Sequence, residues 1–204
     1  MGFLKDIEDM PNQFEYSRQF FERYYRPEYT TIIVAGDVAP ERTRSLVEKY
    51  WGGWKRGEYR AEIPEEPAQR GPRSNHVAWP TPTLPWLEVA FRGPAYSDVA
   101  KDQAALDLIS YLGFSESSAL YQKLVIQEQK ADALRSGSPD RVDPFLFSVS
   151  ARLKKEADLE AVREDILRTL AEFRDKPVEA ARLDQVKRHL RYDFALGLDS
   201  SEAV

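Results

Sequence analysis

Cysteine is absent from these 204 residues. That excludes disulfides, thiolate nucleophiles and thiolate metal ligands, and it leaves the compartment open. Histidine is nearly absent too, with only His76 and His189. They lie far apart in sequence, and neither has a second histidine four residues on. A catalytic zinc takes about three protein ligands, commonly two of them histidines on one helical face, so both residues read as ordinary surface or hydrogen-bonded histidines. No metal ligand is assigned to the chain. Glycine-rich phosphate loops are missing as well: "GDVAPE" has neither the spacing nor the lysine of a P-loop. No serine sits in a G-x-S-x-G elbow, and Ser200 and Ser201 fall at a chain end, where order is usually poor. No apolar run approaches the ~20 residues of a membrane helix. The stretch "MGFLKDIEDM" lacks the apolar centre of an export signal, and Asp6 breaks the myristoylation pattern. Net charge is −5, the wrong sign for a phosphate-binding surface, so nucleic acid is not an expected partner.

What the chain does have is a globular balance, 42% hydrophobic and 31% charged. Asn12 and Glu15 have capping-box spacing and open a helix with Phe14, Phe21 and Tyr25 on one face. Pro27 stops it and forces Arg26 out of helical geometry. "TTIIVA" (Thr30 to Ala35) reads as a strand covered on both faces, Gly36 and Asp37 as its exit turn. Pro40 starts a second helix with Leu46, Val47 and Tyr50 as its stripe, ended by Gly52 and Gly53. Residues 55 to 85 hold six of the 13 prolines, and "EIPEEPAQRGP" has no apolar period. We therefore divide the chain into 1–60, a proline-rich linker at 61–72, and 73–204.

The second part begins with strands at Ser74 to Ala78 and Leu87 to Phe91. Asp98 is the expected cap of a helix carrying Ala105, Leu108, Ile109 and Leu112, closed by Gly113. A short helix presents Leu120, Tyr121, Leu124 and Val125. "ADALRSG" is a further strand. "FLFSVSARL" alternates most strictly, with Phe145, Phe147, Val149, Ala151 and Leu153 on one side. Two helices close the chain, one opened by Asp158 with Leu159, Val162, Ile166, Leu170 and Phe173, the other with Leu183, Val186, Leu190 and Phe194. Strand pairs alternating with helix pairs predict an α+β fold, an antiparallel sheet with helices on one face.

No pattern in the residues assigns catalysis. The carboxylates of "EIPEEP" and "DLEAVRED" fall in the linker and on a helix face. Arg182, Lys187, Arg188 and Arg191 form a basic stripe, but Asp184 and Asp193 interrupt it and a solvated face is favoured. Trp51, Trp54, Trp79 and Trp86 flank the linker, as packing between subdomains or as a binding surface. The set of catalytic, cofactor-binding and metal residues read from this chain is therefore empty.

One stretch carries more than its composition. "FFERYYRPEYTTIIVAGDVAPE" resembles a signature of the insulinase/pitrilysin-type zinc metallopeptidases, the inverzincins. Its elements are Tyr24 to Pro27, Thr30 to Ala35, Gly36–Asp37, and Lys49 to Gly52. "PEEPAQRGPR" is similar to the family's proline-rich linker. "LEVAFRGPAYSDVAKDQAALDLISYLG" and "SESSALYQKLV" are similar to its second subdomain, in the family's order. The resemblance implies a two-subdomain metallopeptidase-like architecture. It implies zinc in the parent protein, bound through a His-x-x-Glu-His helix and a later glutamate that cannot be placed here and would precede Met1. It also implies a peptide or unfolded protein substrate and a second homologous half or subunit. In the half without zinc the family carries an arginine and, seven residues on, a tyrosine that reach the substrate. Val125 and Asp132 stand there, which fits the tail of a zinc-bearing half. Two functional readings follow: a fragment of a zinc endopeptidase that walls its peptide chamber, itself inactive, or a non-catalytic scaffold of the same fold. A small binding module using the tryptophans is a third.

Overall fold

A computed structural model describes residues 3–200. They separate into two compact units, the first running to Ser74 and taking in residues 198–200 as well, the second from Asn75 to Gly197.

The first unit combines local contacts with a few longer ones: Tyr29 Oη donates to the Tyr59 carbonyl at 2.7 Å and the Gly57 amide to Glu28 Oε1 at 2.9 Å. After a short helix α1 (Leu4–Glu8) come α2 (Phe14–Tyr24) and α3 (Pro40–Trp51). α2 starts two residues later than the Asn12 cap expected from sequence. Asn12 ends a 3₁₀ turn and its amide donates to Asp9 Oδ1 at 2.9 Å, so it is already occupied. Within α2 the residues four apart meet as the helix period dictates, and Phe21 stacks on Tyr25 with centroids 4.5 Å apart. Arg26 is extended (φ −136°, ψ 155°) before Pro27, and Pro40 sits in the first turn of α3. The expected strand Thr30–Ala35 forms no ladder among the described residues. Its apolar composition is right, but a strand exists only when another pairs with it, and no other segment of this unit does. Gly36 turns the chain after it at φ 127°, a conformation that favours glycine. No residue from 3 to 74 is fully buried, and the stripe on α3 leaves Tyr50 70% exposed.

The second unit has the core. Its sheet runs β1 (Trp86–Arg92), β3 (Leu146–Leu153), β2 (Ala131–Gly137), all antiparallel, with β3 central. Leu87 lies opposite Ala151, Val89 opposite Val149 and Phe91 opposite Phe147. Because strand side chains alternate, this register sends Phe147, Val149, Ala151 and Leu153 to one face, where all are buried. The other face carries Glu88, Ala90, Ser148, Ser150 and Arg152. Phe145 does not belong to the inward set. It precedes β3 and is half-exposed, its carbonyl accepting from the Gly93 amide at 2.7 Å and its ring lying under the Arg141 guanidinium. Ser74–Ala78 likewise stays unpaired and exposed.

The buried sheet face packs against α4 (Asp102–Phe114), α5 (Ala119–Tyr121) with the turn that follows it, and α6 (Leu159–Asp175). Leu120, Leu124, Phe114, Val162 and Ile166 fill the layer. Each such side chain stabilises by about 1.5–3 kcal/mol relative to exposure. α4 starts four residues beyond Asp98, because Ser97 Oγ accepts from the Val99 and Ala100 amides and holds that stretch as a turn. α7 (Ala180–Gly197) contributes Val186, and its distal Phe194 is exposed. α4 and α6 approach closely at Gly113, where a Cβ would lie 2.9 Å from the Phe173 ring. The result is the α+β arrangement expected from the alternating periods.

Candidate functional site

The two histidines are not brought together. His76 is exposed in the segment before β1. His189 lies on α7, its Nε2 3.0 Å from Asp193 Oδ2, and its ring is 5.0 Å from that of Tyr111. Among the described residues no group of three or more His, Asp or Glu side chains can hold a metal ion. A hydrolytic zinc needs about three convergent donors and an open position, so these residues do not fit a zinc site.

The basic stripe on α7 is exposed. Arg182 donates weakly to the Ser117 carbonyl at 3.4 Å, and Asp184 interleaves as the sequence shows. Next to it, Leu112, Phe173, Pro177 and Val178 floor a shallow cleft of about 260 Å³, with Glu172, Lys176, Glu179 and Arg182 on its rim. The rim charges alternate in sign and single out no ligand. In the first unit Trp51 and Trp54 are tilted neighbours at 5.5 Å. In the second, Trp79 is exposed and Trp86 lies under Arg152, whose guanidinium is 5.8 Å from the ring.

Arg152 ties the open face of the sheet together. It makes two hydrogen bonds to Asp132, Nε to Oδ1 at 2.7 Å and Nη2 to Oδ2 at 2.9 Å, while its other side covers Trp86. The bidentate pair crosses from β3 to β2 and holds the Asp132 carboxyl below its ordinary range. Val125 is half-buried against the core. Both positions singled out in the sequence as departures from an arginine and a tyrosine thus have structural partners of their own. Elsewhere, burial and then the charge of Asp140 push the Asp107 carboxyl up.

A second charged group, not visible in the sequence, joins α6 to the turn after α5. Asp165 is buried, 6% exposed. Its Oδ2 accepts from Lys123 Nζ at 2.6 Å and its Oδ1 from Arg168 Nη2 at 2.7 Å. The helix period puts Arg168 beside Asp165, but Lys123 is 42 residues away and only the tertiary fold supplies it.

Comparison with known proteins places this arrangement. The chain is 29% identical over 209 residues to the zinc protease PqqE of Helicobacter pylori, covering all of this chain and 46% of that protein. A crystal structure of a protease from Helicobacter pylori superposes with a TM-score of 0.87 at 28% identity, over 99% of this chain and 49% of that one. The chain spans about half the length of each. Residues 13–190 match the model of the family described as the Peptidase M16 inactive domain. The α+β core, the order of elements and that match agree, and the chain belongs to the M16 inactive-domain family.

Proposed function

We propose that this chain is part of an insulinase-type zinc endopeptidase and forms a metal-free wall of the chamber that encloses the peptide. The observation that carries the reading is the family match over residues 13–190. In this reading residues 1–60 are the end of a metal-bearing type of subdomain, 61–72 its linker, and 73–204 the non-catalytic subdomain. Zinc, its ligands and the general base belong to other parts of the enzyme, and a second homologous half or subunit closes the chamber. The likeness to a zinc protease supports zinc in the whole enzyme. An enclosed peptide is held extended and shielded from water, which is where positional gain in catalysis arises. The chain's own part is to bind, orient and exclude water.

The test has two parts. The whole reading frame is expected to encode His-x-x-Glu-His, and the whole protein to cleave a fluorescent peptide in a chelator-sensitive way. A whole protein that binds peptide without cutting it would establish the scaffold reading instead. The purified chain alone is expected to retain no stoichiometric zinc after extensive dialysis and to leave the peptide intact. Zinc that is lost on mutating His76 or His189, or cleavage by the chain alone that a chelator blocks, overturns the proposal.

A further inference from the structure

The turn after α5 is not α-helical. From Gln122 to Gln127 the backbone runs as a π-helical turn, in which the Glu128 amide donates to the Lys123 carbonyl at 2.8 Å, five residues back. The Lys130 amide then reaches the Leu124 carbonyl at 2.9 Å, and Gln129 is left at φ 51°, the one non-glycine residue at positive φ among the described residues. β2 starts directly afterwards, and its pairing with β3 carries an irregularity between Ala131 and Ala133. Two one-residue adjustments therefore stand within ten residues of each other, one in a helix and one in a ladder. π turns are rare, and where they occur they are mostly single turns within an otherwise α-helical run. Something must favour this one.

The charges around it suit the π register. Lys123 Nζ lies between Asp165 Oδ2 at 2.6 Å and Glu128 Oε1 at 3.9 Å, and Glu128 Oε2 holds Lys130 Nζ at 2.7 Å. Arg168 occupies the other oxygen of Asp165. The chain of charges is Arg168, Asp165, Lys123, Glu128, Lys130. Lys123 and Glu128 are five residues apart. In an α-helix residues five apart point about 140° away from each other, and only those three or four apart meet. A turn closed by i→i+5 bonds stacks them instead. Asp165, fixed on α6 and buried, holds Lys123 where Glu128 can reach it only through the wider turn.

We infer that this charge relay, anchored at Asp165, selects the π register of Gln122–Gln127 and thereby the phase in which the chain enters β2. A return to the α register would displace the following residues by one position. Because a strand's side chains alternate, a one-residue slip exchanges its buried and exposed sets. Ala131 and Leu134, now buried, would then trade places with residues on the Asp132 side unless the irregularity at Ala131/Ala133 absorbed the slip.

The test moves the carboxylate by one residue. In the double variant Gln127→Glu, Glu128→Gln the acid stands four residues from Lys123, the spacing an α-helix rewards. Couplings across hydrogen bonds, read by NMR, are expected to show the amide of residue 128 leaving the Lys123 carbonyl for that of Leu124, four residues back, with exchange at residues 131–134 perturbed. Glu128→Gln alone is expected to speed exchange at residue 128 by about twofold to fivefold, the scale of a partly exposed ion pair. Asp165→Asn should do at least as much, although Asp165 is 42 residues away in sequence. A thermal melt of each variant verifies folding. Should the Asp165 variant fail to fold, the carboxylate shift still decides the matter. A folded double variant in which the residue 128 amide still bonds to the Lys123 carbonyl, or folded Glu128 and Asp165 variants in which residue 128 keeps its protection unchanged with residues 131–134 undisturbed, would overturn the inference.

Discussion

At the scale of single residues, backbone conformation and charge pairing make separate claims. Gln129 is held at φ 51° between the π turn and β2. An L-residue in that region costs roughly 1–2 kcal/mol, and glycine avoids the cost while losing part of it to greater unfolded-chain entropy. Gln129→Gly is expected to raise stability by about 0.5 kcal/mol or slightly more, read as a higher urea midpoint at unchanged slope. Asp132 makes a claim about pH. The hydrogen bonds from Arg152, and then its charge, outweigh burial and keep the carboxyl below its ordinary value. A depressed folded-state pKa contributes stability above the unfolded value and loses it as pH falls through the folded one. The Asp132 carboxyl carbon, followed by NMR, is therefore expected to titrate below the usual aspartate range, and Arg152→Gln to bring it back towards that range. Almost none of this was legible in the sequence. The partners of Asp132 and Asp165 stand 20 and 42 residues off. Asn12 and Asp98 have the chemistry of helix caps, yet local hydrogen bonds at Asp9 and Ser97 moved both helix starts onwards.

At the scale of elements, period was the reliable signal and pairing the missing one. β3 was read almost to its ends because it is central, and burial on one face enforces strict alternation. Phe145 was misplaced by one step of that alternation, since the ladder stops before it. The faces of α6 and of the turn after α5 were equally plain, with Val162, Ile166 and Leu124 fully buried. Thr30–Ala35 and Ser74–Ala78 looked like strands for the same compositional reasons and formed none, because composition cannot supply a partner. The π turn left no trace in the periodicity, since one extra residue in a short helix falls within the scatter of any pattern. The central role of β3 has a measurable consequence. Leu153 is fully buried at the last position of β3, so Leu153→Ala is expected to cost about 2–5 kcal/mol, as transfer and cavity contributions add. Truncating Phe194, 70% exposed, should change stability by less than about 0.5 kcal/mol. Chemical denaturation of the two variants side by side compares a central element with a peripheral one.

At the scale of the whole molecule, stability is distributed unevenly between two units. Every fully buried side chain among the described residues belongs to the second, from Leu87 to Val186. The first carries Phe14, Ile33, Tyr50 and Ile63 at more than two-thirds exposure, and no residue of it is fully buried. Hydrophobic burial is the main favourable contribution to folding, so a segment without it opens at little cost. Between α3 and β1 lies no regular element, and prolines at 64, 67 and 72 deny the chain a helix there. Three results should follow from one set of experiments. Amides of residues 3–74 should exchange far faster than those of β3. A low dose of a broad-specificity protease should cut first between residues 60 and 72. The surviving product should contain residues 75–197 and should unfold at nearly the same urea concentration as the intact chain, since its core has lost nothing. The apolar side chains of the first unit should meanwhile bind a hydrophobic dye under conditions where the second unit remains native. If the first cut fell within α6, or if removing residues 1–74 lowered the midpoint of the second unit markedly, the two units would share a stabilising core, and the proposed division into an end of one subdomain and the bulk of another would fail.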